Sequence, residues 1–201
     1  MTLIVGNTRY RVDFTFALTV TLMLIFCDEN TVIICLLSSV LHELGHLVFM
    51  KAFRQRVTEV IFGAFGVRID RLTTSELSYK KEAVIAFGGI AVNFLIAFIS
   101  GMYYFITDRY YAVLLAAVNI FIALFNMIPV DTLDIGRVLR YTLLCLYDEN
   151  KCDKILFIVS AVSVNLLAVL CIAYTVLFSV NPSLIAVTVY LYVITLFKKW
   201  S

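Results

Sequence analysis

Hydrophobic positions in this chain fall into long runs separated by short polar breaks. Runs near residues 12–27, 31–52, 83–106, 110–130, 155–178 and 183–197 approach the roughly 20 residues that a helix needs to span a bilayer. The first is the shortest and would borrow from its flanks. Asp28-Glu29-Asn30, Thr107-Asp108-Arg109 and Asn181-Pro182 punctuate the series. At two places the period drops to two. Leu3-Ile4-Val5 and Thr8 to Val12 flank a Gly6-Asn7 turn signal and read as a short hairpin. Between residues 57 and 70, Ile61, Gly63, Phe65, Val67 and Ile69 alternate with their neighbours, which predicts a strand or hairpin. The polar stretch Arg71 to Glu82 begins the third helix, with Thr73, Thr74 or Ser75 as N-cap. A further helical piece is expected around Val138 to Leu146. The pattern predicts an α-helical integral membrane protein with about six transmembrane helices and a small β-sheet or hairpin near the cytoplasmic face. Residues 1–201 are read as one membrane-embedded domain.

Composition agrees with that reading, because 62% hydrophobic residues against 15% charged is wrong for a soluble globule. The lipid bilayer is thus the first expected partner. A net charge of +2, scattered along the chain, argues against nucleic acid as another. The cysteines Cys27, Cys35, Cys145, Cys152 and Cys171 form no C-x-x-C pair, and most lie in apolar runs where a thiol packs as a small hydrophobe. Basic residues set the expected orientation, since cytoplasmic loops are enriched in Lys and Arg. Six spans with both termini in the cytoplasm place every basic residue except Arg109 on that side. The expected location is therefore the cell membrane, multi-pass. The second and fourth runs then both travel inward, so His42 and His46 reach a depth similar to Asp131 and Asp134.

One of these runs carries chemistry. Val40 to Val48 puts His42, Glu43 and His46 inside an apolar segment, where ionisable groups are costly and functional by default. Histidines four apart share a helix face and can meet one metal ion, and the adjacent glutamate can act as general base on a metal-activated water. The chain holds 2 histidines, both in this motif, so a third protein ligand cannot be histidine. No cysteine is convincingly placed, which leaves a carboxylate. Asp134 and Asp131 are the acids best placed by depth, with Asp134 favoured and Asp131 the runner-up. A downstream glutamate is the arrangement of another metalloprotease lineage. Asn93 and Asn126 serve equally well on sequence grounds as interhelical hydrogen-bonding groups or as grips on a substrate backbone.

The motifs together resemble the site-2 protease family of intramembrane zinc metalloproteases. The resemblance rests on three blocks in family order: His42-Glu43-Leu44-Gly45-His46, Gly89-Ile90-Ala91-Val92-Asn93, and Asn126-Met127-Ile128-Pro129 continuing to Leu133-Asp134-Ile135-Gly136-Arg137. Phe62-Gly63-Ala64-Phe65-Gly66 is similar to the family's strand segment. The resemblance implies one Zn2+ held by His42, His46 and Asp134, with Glu43 as catalytic acid/base. It implies cleavage of a membrane-tethered protein near the cytoplasmic side, with room for a regulatory membrane partner. Asn93, Asn126 and Phe65 become candidate substrate contacts, and the strand around 61–69 a candidate edge for an extended substrate. Lys51 to Glu82 is too short for a PDZ domain, which is similar to the compact prokaryotic branch. Two positions depart from the family pattern, Ile90 where proline is usual and Ile135 where glycine is usual. They motivate an alternative, a catalytically inactive relative that binds membrane clients.

Overall fold

The computed structural model describes residues 2–5, 8–63, 66–72, 77–178 and 182–197. By internal contacts the chain divides into two compact units, Met1–Phe125 and Asn126–Ser201.

The first unit begins with β1 (Thr2–Val5) and β2 (Thr8–Val12), followed by α1 (Phe14–Phe26), α2 (Glu29–Ala52), β3 (Arg56–Gly63), β4 (Gly66–Leu72), α3 (Tyr79–Thr107) and α4 (Tyr110–Asn126). Both period-two segments are strands. They join in a single sheet of order β1-β2-β3-β4. β1 and β2 are antiparallel, as are β3 and β4, whose register runs from Arg56 opposite Leu72 to Gly63 opposite Gly66. The pairing of β2 with β3 is parallel, Arg9 opposite Glu59 through Val12 opposite Phe62. Parallel neighbours need a long crossover, and α1 with α2 supplies it. β3 is therefore an interior strand. The sheet edges are β1 and β4, so of the 61–69 segment expected to offer an edge, Ile61 and Phe62 are already paired on both sides.

α2 has well-defined ends. Asp28 caps its start, accepting from the Thr31 amide at 2.9 Å and the Thr31 hydroxyl at 2.7 Å. At the other end Arg54 turns left-handed at φ 57, and the Gln55 amide donates to the Met50 carbonyl at 2.9 Å, a Schellman closure. α3 begins after Ser78, and the expected N-cap positions Thr73, Thr74 and Ser75 lie outside the described residues. The seam between α2 and α3 is made of glycine. A Cβ on Gly45 would stand 2.5 Å from the Gly88 carbonyl oxygen, and one on Gly88 would stand 2.7 Å from that of Gly45. Only residues without side chains let two helix backbones approach this closely. α4 is tied to α2 by Asn119, whose Nδ2 donates to Ser38 Oγ at 2.9 Å, both residues being fully buried.

The second unit holds α5 (Asp134–Leu144), α6 (Glu149–Leu177) and α7 (Pro182–Phe197). Gly136 lies under the Val130 carbonyl, where a Cβ would collide with it, so the chain can fold back tightly onto the first turn of α5.

Among the described residues three helices, α2, α3 and α6, are long and apolar enough to cross a membrane. At about 1.5 Å per residue each exceeds the ~30 Å hydrocarbon core. The other apolar helices have 13 (α1), 17 (α4) and 16 (α7) residues and reach only about 20–26 Å by the same rise. Large apolar side chains face outward on the long helices, Phe98 at 68% and Ile172 at 65% exposure among them. Water does not tolerate such continuous apolar faces, and lipid does.

Candidate metal centre

His42 and His46 are one turn apart on α2 and leave the same face. Both are buried, at 6% exposure each. Their ring centroids are 5.0 Å apart with planes at 86°, and their Nε2 atoms are 3.4 Å apart. The outer nitrogens decide the tautomers. His46 Nδ1 lies 2.8 Å from the Ile85 carbonyl oxygen, which can only accept, so this nitrogen carries the hydrogen. His42 Nδ1 donates in the same way to Asn93 Oδ1 at 3.1 Å. Each neutral ring then keeps its lone pair on Nε2, and the two lone pairs converge.

Gly89 makes this convergence sterically possible. A Cβ there would stand 2.6 Å from His46 Nε2 and 2.7 Å from His42 Nε2, on the point the two lone pairs share. α3 thus contributes three things to the histidine pair: an empty place at Gly89, an acceptor at Ile85 and an acceptor at Asn93. Asn93 is fully buried, and its Nδ2 has no hydrogen-bond partner among the described residues. Glu43 lies beside the first histidine on α2 and is half-buried.

In the second unit Asp134 opens α5 and is buried at 6% exposure. Asp131, its rival on sequence grounds, is engaged elsewhere. Its carboxylate lies 3.5 Å from Arg140 Nη1, and its amide donates to Ser160 Oγ at 3.1 Å. Asn126 ends α4 and is half-buried, while Phe65 lies outside the described residues. Ile135 is half-exposed in the first turn of α5, and Ile90 is fully buried in α3. The glycine that the second unit cannot do without is Gly136, one position after the departure from the family pattern.

Sequence reasoning singled out both histidines and both asparagines but missed Gly89 as part of the centre, and missed Arg140 altogether. The Gly88-Gly89 pair in mid-helix was the available signal for the first. Nothing local to Arg140 marks it, because its partners are acidic residues on the preceding connection and on another helix.

No family model matches the chain, and no curated protein sequence matches it. Among solved structures it is similar to the Site-2 Protease from Methanocaldococcus jannaschii, with a TM-score of 0.69 over 96% of this chain and 91% of that one. Sequence identity is 22%, so the likeness is one of fold.

Proposed function

We propose that this chain is a site-2-type intramembrane zinc endopeptidase, in which His42, His46 and Asp134 hold one Zn2+ and Glu43 is the catalytic acid/base. The observation that carries the reading is the 3.4 Å separation of the two histidine Nε2 atoms, with both Nδ1 atoms committed as donors. Two zinc–nitrogen bonds of about 2.0–2.1 Å at a tetrahedral angle put their nitrogens about 3.3–3.4 Å apart. The donor set agrees. His42, His46 and Asp134 are each buried, and two imidazoles with one carboxylate would leave a fourth position open for chemistry. The shared fold supports the reaction class.

When bound, zinc supplies Lewis acidity and a water acidified towards neutral pH. The remaining work falls to the chain. Glu43 accepts a proton from the attacking water on its carboxylate and returns it to the leaving amine nitrogen. Asn93 and Ile85 hold the imidazoles in the ligating tautomer. The free Nδ2 of Asn93 is the donor available to a reacting carbonyl, and Asn126 and Phe65 complete the proposed substrate path. The substrate is a membrane-tethered protein, locally unwound because a helix hides its carbonyls in its own hydrogen bonds. β4, as an edge strand, is better suited to receive it than the interior β3. Six spans with both termini cytoplasmic complete the proposal, the three shorter apolar helices crossing with help from their flanks.

The alternative of an inactive relative gains no specific observation. Ile135 is half-exposed and Ile90 is fully buried in α3.

Purified protein should bind one zinc per chain, and in vesicles it should cleave a single-span reporter protein. Glu43→Gln should retain zinc and lose cleavage by at least the ~10²–10⁴-fold that a general base contributes. Equal cleavage by both proteins would rule the mechanism out.

A further inference from the structure

We propose that Arg140 is a positioning residue for Asp134, anchoring the connection that carries this ligand and withholding the neighbouring Asp131 carboxylate from the metal. The inference rests on the zinc reading above. It starts from a chemical ambiguity within the chain: residues 131 and 134 both offer carboxylates at the entrance to α5, and either could serve as a third ligand.

The structure treats the two differently. Arg140, on the second turn of α5, reaches back to Asp131 Oδ2 at 3.5 Å through Nη1 and across to Asp153 Oδ1 at 2.9 Å through Nη2. A guanidinium can do this because its donors are held in a planar fork, whereas a lysine ammonium is a point charge. The Asp131 side chain is only 11% exposed, so its ion pair is screened less by solvent than a surface pair would be. The backbone is fastened as well. The Asp131 amide donates to Ser160 Oγ at 3.1 Å, and Ser160 is buried on α6. The Cys152 thiol, fully buried, donates to the Arg140 carbonyl at 3.6 Å and ties α5 to α6 from the far side.

Between the anchored Asp131 and the anchored Arg140 lies Asp134. The Leu133 amide closes a turn on the Val130 carbonyl at 2.8 Å, and Gly136 receives that same carbonyl against the helix. The first turn of α5 therefore cannot rotate or slide without breaking the ion pairs. Groups that orient a metal ligand without touching the metal set its affinity in this way. Arg140 adds selection to orientation, because its loss takes the guanidinium away from a poorly solvated carboxylate beside the proposed ligand.

The test uses the full chain in lipid nanodiscs, with zinc affinity measured by competition against a chromophoric chelator. Arg140→Gln should bind zinc about 10–100-fold more weakly than wild type. Arg140→Lys should fall between, since a compact ammonium keeps the charge but not the planar fork that spans the two carboxylates. Adding Asp131→Asn to Arg140→Gln should recover part of the loss, because the carboxylate competing with Asp134 is gone. A purely structural role would lower the melting temperature of the metal-free protein without this pattern in affinity. If Asp134→Ala abolishes zinc binding while Arg140→Gln binds as wild type, the inference is overturned. If Asp134→Ala itself keeps zinc, it is the zinc reading that fails. The anchoring is then judged by amide exchange over residues 130–134 of the metal-free protein: faster exchange in Arg140→Gln upholds it, and unchanged exchange refutes it.

Discussion

The histidines and the carboxylate proposed as metal ligands are held by different physics. On α2 and α3 the contacts are short and mostly uncharged: glycine against glycine at the helix seam, a backbone carbonyl on one imidazole and a buried amide on the other. Around Asp134 the restraint comes largely from charge, with Arg140 set between Asp131 and Asp153. Steric precision suits the pair of imidazoles, because their Nε2 atoms must converge on one point and any added atom would occupy it. Charge suits the carboxylate, because two acids lie three residues apart and the guanidinium of Arg140 engages Asp131. The histidine half should accordingly fail abruptly when atoms are added, and the carboxylate half should fail by degrees when charge is altered.

The largest expected effect follows from adding one methyl group to the histidine half. Gly89→Ala should weaken zinc binding by more than about 100-fold, beyond the range expected for an outer hydrogen-bond partner. Gly101→Ala is the matched control, since a Cβ there meets nothing within 4 Å. It should leave zinc binding unchanged and stabilise α3 by about 0.5–1 kcal/mol. Equal zinc affinity in the two variants would show that the seam is not sterically limited.

Removing a hydrogen bond instead of adding an atom should do less. Asn93→Ala should cost about 10–100-fold in zinc affinity, as loss of an outer-shell acceptor usually does. Asn93→Asp keeps the acceptor and should retain more of the affinity than alanine does. If both substitutions leave affinity intact, Asn93 does not set the His42 tautomer.

On the carboxylate half, Ile135→Gly restores the residue usual in the family, yet Ile135 is half-exposed and the critical glycine is Gly136. Zinc affinity should stay within twofold of wild type, while stability falls by the ~1 kcal/mol that glycine costs in a helix. A marked gain in affinity would mean that Ile135 strains the ligand after all.

The smallest effect concerns the start of α2, outside the centre. Hydrogen bonds from the Thr31 hydroxyl and then the Thr31 amide hold the Asp28 carboxyl below its ordinary value of 3.8. A depressed pKa means that the cap stabilises the helix above the ordinary value and loses its effect as pH falls through the lowered one. Amide exchange at Thr31, corrected for intrinsic rates, should lose protection only in that acid range, and Asp28→Ala should lose it at all pH values. Zinc binding near neutral pH should be indifferent to the substitution, which would separate helix-end stability from the chemistry in its middle.

Much of this protein follows from local pattern. Apolar runs mark the helices, period-two alternation marks β3 with β4, and the spacing of His42, Glu43 and His46 marks a helix suited to metal ligation, because each is a property of consecutive side chains on one element. The edge or interior position of a strand is not such a property. β3 became interior through parallel pairing with β2 across the whole α1–α2 crossover, and no local periodicity reports that. The same holds for the roles of Gly89 and Asn93, which depend on contacts between residues more than 40 positions apart. Asp131 and Asp134 are of comparable depth along the chain, with Asp134 favoured as a ligand and Asp131 the runner-up. Only folding gave Asp131 a cation, from Arg140 on the next helix, because an ion pair depends on distance in space, which sequence separation does not set.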